Sequence, residues 1–170
     1  MTEEAFFLQV LADHLKRRKT ASAPDGLDWD KLAALARRHQ VSGMLYSQCQ
    51  SFWPAEKAAG LKQAYFYSVM AHTNRNRDMS DIGKAFETAG ISYFTVKGLE
   101  VAALYPVPAL RTMGDCDIVV HPENKERAHQ TLLALGFENR TQQGMEWTYC
   151  RNRLEYELHD HLLYDETVNS

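Results

Sequence analysis

The hydrophobic pattern of this 170-residue chain changes its period at Gly90, and this change constrains the fold more than any other feature. Before Gly90, apolar residues recur at spacings of three and four, which is typical of helices that bury one face. After Gly90, short runs rich in β-branched and aromatic residues alternate with turn residues, which is typical of strands. We therefore expect an α/β (α+β) protein with a helical region over residues 1–90 and a small mixed β-sheet over residues 91–170.

Three helices are predicted in the first region. The first carries an apolar stripe made of Phe6, Phe7, Val10, Leu11 and Leu15. The second is capped by Asp28 and ends near His39. The third runs from about residue 55 to residue 89, and Gly90 ends it in a left-handed conformation. Together they form a helical annex to the sheet.

Strands are predicted at five places in the second region, with a helix from Pro122 to Leu135 among them. The predicted strands are Ile91–Val96, Asp117–Val120, Phe137–Thr141, Met145–Cys150 and Arg153–His159. A tight turn at Lys97-Gly98 follows the first strand and leads into a short helix. Gly144 and Arg151-Asn152 mark turns, and the last six residues have no apolar pattern, so we expect a loop there.

Composition excludes several classes of protein. With 45% hydrophobic and 24% charged residues, the chain is neither fibrous nor largely disordered. A net charge of −3 and a pI near 6.2 argue against a protein that binds many nucleic-acid phosphates. The sequence has no apolar run of bilayer length and no signal peptide, and its three cysteines fit reduced thiols, so we expect a cytoplasmic protein with no membrane association.

Two aspartates open the second predicted strand. Asp115 and Asp117 are two residues apart, so their carboxylates project from the same face of an extended chain. Two carboxylates about 4 Å apart repel by about 4 kcal/mol at an effective dielectric constant of 20, so a close pair needs a cation or a shared proton. Magnesium is the natural cation, because proteins hold it with one or two carboxylates and substrate phosphates.

The stretch around this pair has a recognisable pattern: Lys97-Gly98, then Tyr105-Pro106-x-Pro108-x-x-Arg111, then Gly114-Asp115-x-Asp117. It resembles the polymerase-beta-type nucleotidyltransferase superfamily, and within it a poorly characterised group that has a Lys-Gly turn followed by Arg-x-x-Gly-Asp-x-Asp. The resemblance covers about residues 91–163. A weaker echo lies at Arg37-x-His39-x-Val41-x-Gly43 in the helical region.

The resemblance implies three catalytic acids that also bind the metal, namely Asp115, Asp117 and Glu157. Glu157 is followed two residues later by His159, as in the family, and alternation along the strand places Glu155, Glu157 and His159 on one face. Glu155 is the competing third acid. His159 could orient Glu157 or the acceptor, although packing or exposure explains it equally well.

The resemblance also implies a site for the substrate phosphates, made of Lys97, Gly98, Arg111 and Gly114. Gly98 permits close approach of the backbone to a triphosphate, and backbone N–H groups at the start of the following helix can contact it. Lys97 and Arg111 supply positive charge, and Arg111 suits bidentate contact with phosphate oxygens.

The expected function is metal-dependent transfer of a nucleoside monophosphate from a nucleoside triphosphate such as ATP to an unknown acceptor hydroxyl, with Mg²⁺ or Mn²⁺ as cofactor. The alternative is a non-catalytic nucleotide-binding or interaction module with the same fold. A zinc site at His159 and His161 would need further ligands. The acidic balance favours a small-molecule or protein acceptor over RNA. The chain ends thirteen residues after Glu157, so part of the acceptor site is expected to be missing unless the chain forms a homodimer or binds a partner.

Overall fold

A computed structural model describes residues 1–143 and 146–161 of the chain. The chain forms two compact units. The first contains residues 1–73 and 102–112, and the second contains residues 74–101 and the chain from residue 113 onward. The division of the chain at residue 90 stays a prediction.

The first unit is helical. Its helices are α1 (Glu3–Leu15), α2 (Trp29–Arg38), α3 (Ser42–Cys49) and the first half of α4 (Ala59–Thr88), which a 3-10 turn at Ala55–Lys57 precedes. They enclose an apolar core that includes Phe6, Val10, Leu32, Leu45 and Leu61, each at most 1% exposed.

The predicted N-cap and the predicted end of α2 are both confirmed. The carboxylate of Asp28 accepts hydrogen bonds from the N–H groups of Asp30 and Lys31, both at 3.0 Å, and His39 is the C-cap. In α1, the predicted apolar stripe is too long, because Leu15 is 54% exposed at the helix end. The helix α3 was not predicted.

The second unit contains a five-stranded sheet. Its strands are β1 (Tyr93–Val96), β2 (Asp117–Val120), β3 (Glu138–Gln143), β4 (Glu146–Arg151) and β5 (Leu154–His159). Their order is β1-β2-β5-β4-β3, and only β2 and β5 pair in parallel. The sheet is therefore mixed, which confirms the α+β fold class.

The remaining helices are the short α5 (Gly98–Ala102) and α6 (Lys125–Ala134), which follows a 3-10 turn at Pro122–Asn124. Gly90 and Gly136 both adopt positive φ where a helix has ended, as expected. The turn between β4 and β5 contains Asn152 and Arg153, both with positive φ. The predicted turn at Gly144 and the predicted loop over residues 165–170 lie outside the described residues.

One face of the sheet is covered by helices. The hydroxyl of Tyr156 on β5 donates to Asp78 of α4 at 2.7 Å, and Tyr149 on β4 hydrogen-bonds His129 of α6 at 2.8 Å. Both tyrosines are fully buried. Because side chains alternate along β5, Glu157 and His159 project from the opposite face. The candidate site lies on that face.

Among the described residues, none of the helices combines the length and the apolarity that crossing a bilayer requires.

Candidate active site

The parallel pairing of β2 and β5 brings two predicted acids together. Asp117 lies directly opposite Glu157 in the register, and the N–H of Glu157 donates to the carbonyl of Cys116 at 2.9 Å. Residues that face each other across neighbouring strands project from the same side of the sheet. The strand register therefore fixes the two carboxylates as neighbours, although forty residues separate them in the sequence.

His159 completes a compact polar cluster. Its Nε2 lies 3.1 Å from Asp117 Oδ1 and 3.4 Å from Glu157 Oε2. Since a carboxylate only accepts, Nε2 carries the proton in the bond to Asp117. One donor atom from each of the three residues lies within 4.8 Å of the others, and all three side chains are 15–21% exposed. We call Asp117, Glu157 and His159 the acidic cluster.

The environment of Glu157 favours its neutral form. Burial raises the pKa of this carboxyl to about 7, and the negative charges of Glu146, Asp115 and Asp117 contribute in the same direction. His159 opposes the shift. A carboxyl whose pKa is raised by burial and, to a lesser extent, by neighbouring carboxylates is typical of a site that receives a cation or a proton.

The predicted Lys-Gly turn lies next to this cluster. Val96, the last residue of β1, pairs with Asp117, so Lys97 and Gly98 follow directly beside it. Both have positive φ, 60° and 52° respectively. For Lys97 this conformation costs roughly 1 kcal/mol, which makes it a local strain of the kind found at functional sites.

A shallow concavity of about 150 Å³ opens at the cluster, and Lys97, Asp117, Glu146 and His159 are among the residues that line it. Its lining includes one lysine and four groups that can hold a cation or a proton, namely Asp117, Glu146, His159 and His161. The structure thus brings together the predicted residues Lys97, Asp117 and Glu157.

Asp115 and Gly114 lie just before β2. Asp115 is not one of the three clustered residues, but its charge is close enough to raise the pKa of Glu157. The carbonyl of Gly114 accepts a hydrogen bond from Arg75 of α4 at 2.7 Å, and Arg75 is only 6% exposed. Gly114 has open space around its Cα and no positive φ, so the backbone there does not require glycine. Its contact with substrate stays a prediction.

Arg111 and Glu155 are two predicted residues that do not belong to the acidic cluster. Arg111 belongs to the first unit, where it follows a 3-10 turn at Pro108–Leu110. Its contact with substrate phosphate also stays a prediction. Glu155 is exposed and is not part of the acidic cluster, so the geometry favours Glu157 over Glu155 as the third acid. His161 pairs with Asp160 at 2.8 Å and is also outside the cluster.

Comparison with known proteins adds the family. The model of a family described as uncharacterised nucleotidyltransferase matches residues 25–170, which is most of the chain. The chain belongs to this nucleotidyltransferase family. It is accordingly a transferase, and a nucleoside triphosphate is the kind of substrate such an enzyme uses. No curated protein and no solved structure gave a significant match.

Two residues at the site of this nucleotidyltransferase, His159 and Glu146, were not assigned to it from the sequence. The sequence does not decide between packing and an orienting role for His159, whereas the structure shows that it hydrogen-bonds Asp117. Glu146 was not considered, although it pairs with His159 across β4 and β5 and raises the pKa of Glu157. The alternation of Glu146 and Thr148 along the predicted strand was the available signal. It could not be used because the register between the two strands was unknown.

The donor set of this nucleotidyltransferase fits a divalent cation. Asp117 and Glu157 offer carboxylate oxygens, which Mg²⁺ and Mn²⁺ prefer, and a cation between them would remove the repulsion that raises the pKa of Glu157. His159 could add an imidazole nitrogen, which Mn²⁺ accepts more readily than Mg²⁺, only if its Nε2–H bond to Asp117 were given up.

Proposed function

We propose that this nucleotidyltransferase is a metal-dependent enzyme that moves a nucleoside monophosphate from a nucleoside triphosphate to an acceptor hydroxyl. The observation that carries the proposal is the register of Asp117 against Glu157 on adjacent parallel strands, with His159 bonded to Asp117. Two carboxylates held together in a partly buried position repel each other and lower stability, and this cost favours a ligand-binding role for the pair.

In this proposal Asp117 and Glu157 hold the cation. Asp115 also acts as a catalytic and metal-binding carboxylate beside them. A bound Mg²⁺ or Mn²⁺ would neutralise charge on the phosphate oxygens and steady the entering and leaving oxygens of an in-line displacement. Glu157 must lose its proton before it can act as a ligand. His159 orients Asp117 through the Nε2–H bond.

The substrate phosphates are assigned to the Lys-Gly turn and the segments around β2. Lys97 lines the concavity at the cluster and can neutralise a phosphate oxygen there. Gly98 has no side chain to obstruct a triphosphate. The space beside it is open, because among the described residues a Cβ at this position would meet only Glu100 Oε2, at 4.0 Å. Gly114 and Arg111 are assigned to substrate phosphates as well.

The proposed class of acceptor is based on the net charge, and the proposed location is based on the cysteines. A net charge of −3 favours a small molecule or a protein over RNA as acceptor. Cys49, Cys116 and Cys150 are all free thiols, which supports a cytoplasmic location. ATP as donor and a homodimeric state belong to the same proposal.

The test is a transfer assay with each α-labelled nucleoside triphosphate, Mn²⁺ or Mg²⁺ and a metabolite and protein extract. We expect labelled product from the wild type and a loss of about a hundredfold or more in Glu157→Gln. Glu155→Gln is the matched control, because this exposed residue is on the same strand and outside the cluster, and it should keep most of the activity.

The outcomes separate the two functions that the fold allows. Metal-dependent binding of the triphosphate without any product in the presence of extract would favour the non-catalytic module. Equal activity in wild type and Glu157→Gln would remove Glu157 from the site.

A further inference from the structure

Two sequence stretches that the acidic cluster does not use meet in the first unit. One follows Arg37 at the end of α2, and the other runs from Tyr105 to Arg111, more than sixty residues later. They enclose a concavity of about 350 Å³, which is in the range of small-ligand sites. Its polar lining comprises Arg38, His39, Gln40, Tyr105, Arg111 and Thr112. We call this the basic concavity.

Close packing beneath the basic concavity holds its two walls together. A Cβ at Gly43 of α3 would lie 3.2 Å from Leu110 Cδ2 and 3.5 Å from Tyr65 Cα. Leu110 is 2% exposed. The missing side chain at Gly43 therefore lets the turn that carries Arg111 pack directly on α3, and this explains the glycine in the sequence motif.

A second contact joins the two walls at Gln40. The hydroxyl of Thr112 donates to the carbonyl of Gln40. Gln40 has a φ of 56° and follows the C-cap of α2, a position where glycine is usual. A glutamine in the left-handed conformation costs roughly 1 kcal/mol relative to glycine. Gln40 therefore carries a side chain at a position where the backbone favours glycine.

The charge of the basic concavity has one sign. Arg38, His39 and Arg111 line it, and none of the described residues that line it is acidic. Arg38 and His39 are exposed, and Arg111 is half-buried. Two guanidinium groups with amide, hydroxyl and phenol groups beside them are suited to a phosphate group, because guanidinium binds phosphate oxygens in a bidentate manner.

We propose that the basic concavity binds a phosphate group of a substrate, separately from the acidic cluster. The phosphate belongs either to the phosphate chain of the triphosphate or to a phosphorylated acceptor. Only this choice of source rests on the proposed function. The binding itself needs neither metal nor turnover.

A different explanation of Arg38 is its favourable interaction with the negative end of the α2 dipole. Arg37 lies in the same last turn and shares that interaction, but it does not line the concavity. The two arginines are both exposed. Arg37→Gln is therefore a matched control for Arg38→Gln, with the same change of charge on the same helix turn.

The experiment is calorimetric titration of the full chain in EDTA with two probes, tripolyphosphate and glycerol phosphate. Tripolyphosphate represents the phosphate chain of the donor, and glycerol phosphate represents a phosphorylated acceptor. We expect one probe to bind the wild type with a Kd below about 1 mM, and the preferred probe identifies the source. We expect Arg111→Gln to weaken binding by about tenfold and Arg38→Gln by about threefold, with less than about a twofold change in Arg37→Gln.

Three results would overturn the proposal. These are no binding of either probe to the wild type, unchanged affinity in Arg38→Gln, and an equal loss in Arg37→Gln and Arg38→Gln. Because Arg38 is exposed, its variant keeps the test valid even if Arg111→Gln lowers the melting temperature. Failure of the transfer assay leaves these affinities unaffected, so the two proposals fail independently.

Discussion

Glu157 is a residue whose ionisation links the stability of the protein to pH. Its pKa lies at about 7 in the folded state, against an ordinary value of 4.5. Between these values the folded protein retains a proton that the unfolded chain has lost. The contribution of Glu157 to the free energy of unfolding therefore falls as pH rises from about 4.5 through about 7, and this contribution is fully present only below that interval.

This predicts a pH-dependent effect of Glu157→Gln. At pH 5 the variant should resemble the wild type, and at pH 8 it should be more stable by about 1–2 kcal/mol, a figure reduced for solvent screening. Glu146, Asp115, Asp117 and His159 face this carboxyl and are unchanged in the variant. Urea unfolding in EDTA at both pH values measures the effect. The same pH dependence in wild type and variant would contradict it.

Asp117→Asn tests the cluster from the opposite strand. The amide oxygen can still accept the bond from His159, but the charge that attracts a cation is lost. We expect Mn²⁺ affinity to fall about tenfold or more, while the melting temperature stays equal or rises because like-charge repulsion is relieved. Glu155→Gln should change neither value by much. Unchanged Mn²⁺ binding in Asp117→Asn would exclude this carboxylate from the site.

At the scale of elements, the sequence predicted those that carry local signals. The helix α2 has a capping aspartate, and the predicted positions of all five strands agree with the structure to within two residues, with β1 starting at Tyr93 instead of Ile91 and β3 ending at Gln143 instead of Thr141. The helix α3 was missed because it has no side-chain cap, no charged residue at either end and a glycine near its start. Five of its eight residues are buried, so tertiary packing stabilises it.

The site was predictable in part for the same reason. Motif and alternation gave Asp117 and Glu157, which lie on strands with clear patterns. Glu146 and the buried Arg75 could not be found, because their roles depend on strand register and on which face of a long helix meets a loop. Neither property is encoded by local periodicity.

Arg75 connects the helix α4 to the segment that carries the aspartates. Its guanidinium donates to the carbonyl of Gly114, one residue before Asp115, while Arg77 on the same helix is 59% exposed. We expect Arg75→Met to lower the free energy of unfolding by about 1 kcal/mol, because a part-buried hydrogen bond to the carbonyl of Gly114 is lost. Mn²⁺ affinity should also fall a few-fold, since Asp115 loses its support.

The matched control is Arg77→Met, which should change both quantities little. Urea unfolding and Mn²⁺ titration of the two variants give the comparison. A loss of stability in Arg75→Met with unchanged Mn²⁺ affinity would limit Arg75 to a purely structural role.

At the scale of the whole molecule, each compact unit contains one of the two proposed sites. The acidic cluster lies on the sheet of the second unit, and the basic concavity lies among the helices of the first. A family of uncharacterised nucleotidyltransferases covers residues from both units. The two proposals together give each unit a binding role of its own, through different chemistry.

Amide hydrogen exchange can separate these contributions within one intact chain, because a ligand slows exchange where it suppresses local opening. Tripolyphosphate in EDTA should protect peptides that cover residues 36–46 and 105–112. Mn²⁺ alone should instead protect peptides that cover residues 93–98, 115–120 and 155–159. The Arg38→Gln variant should lose much of the first pattern and keep the second, and Asp117→Asn should do the reverse. If each ligand protected both sets equally, or if either variant lost both, the two sites would not be separate.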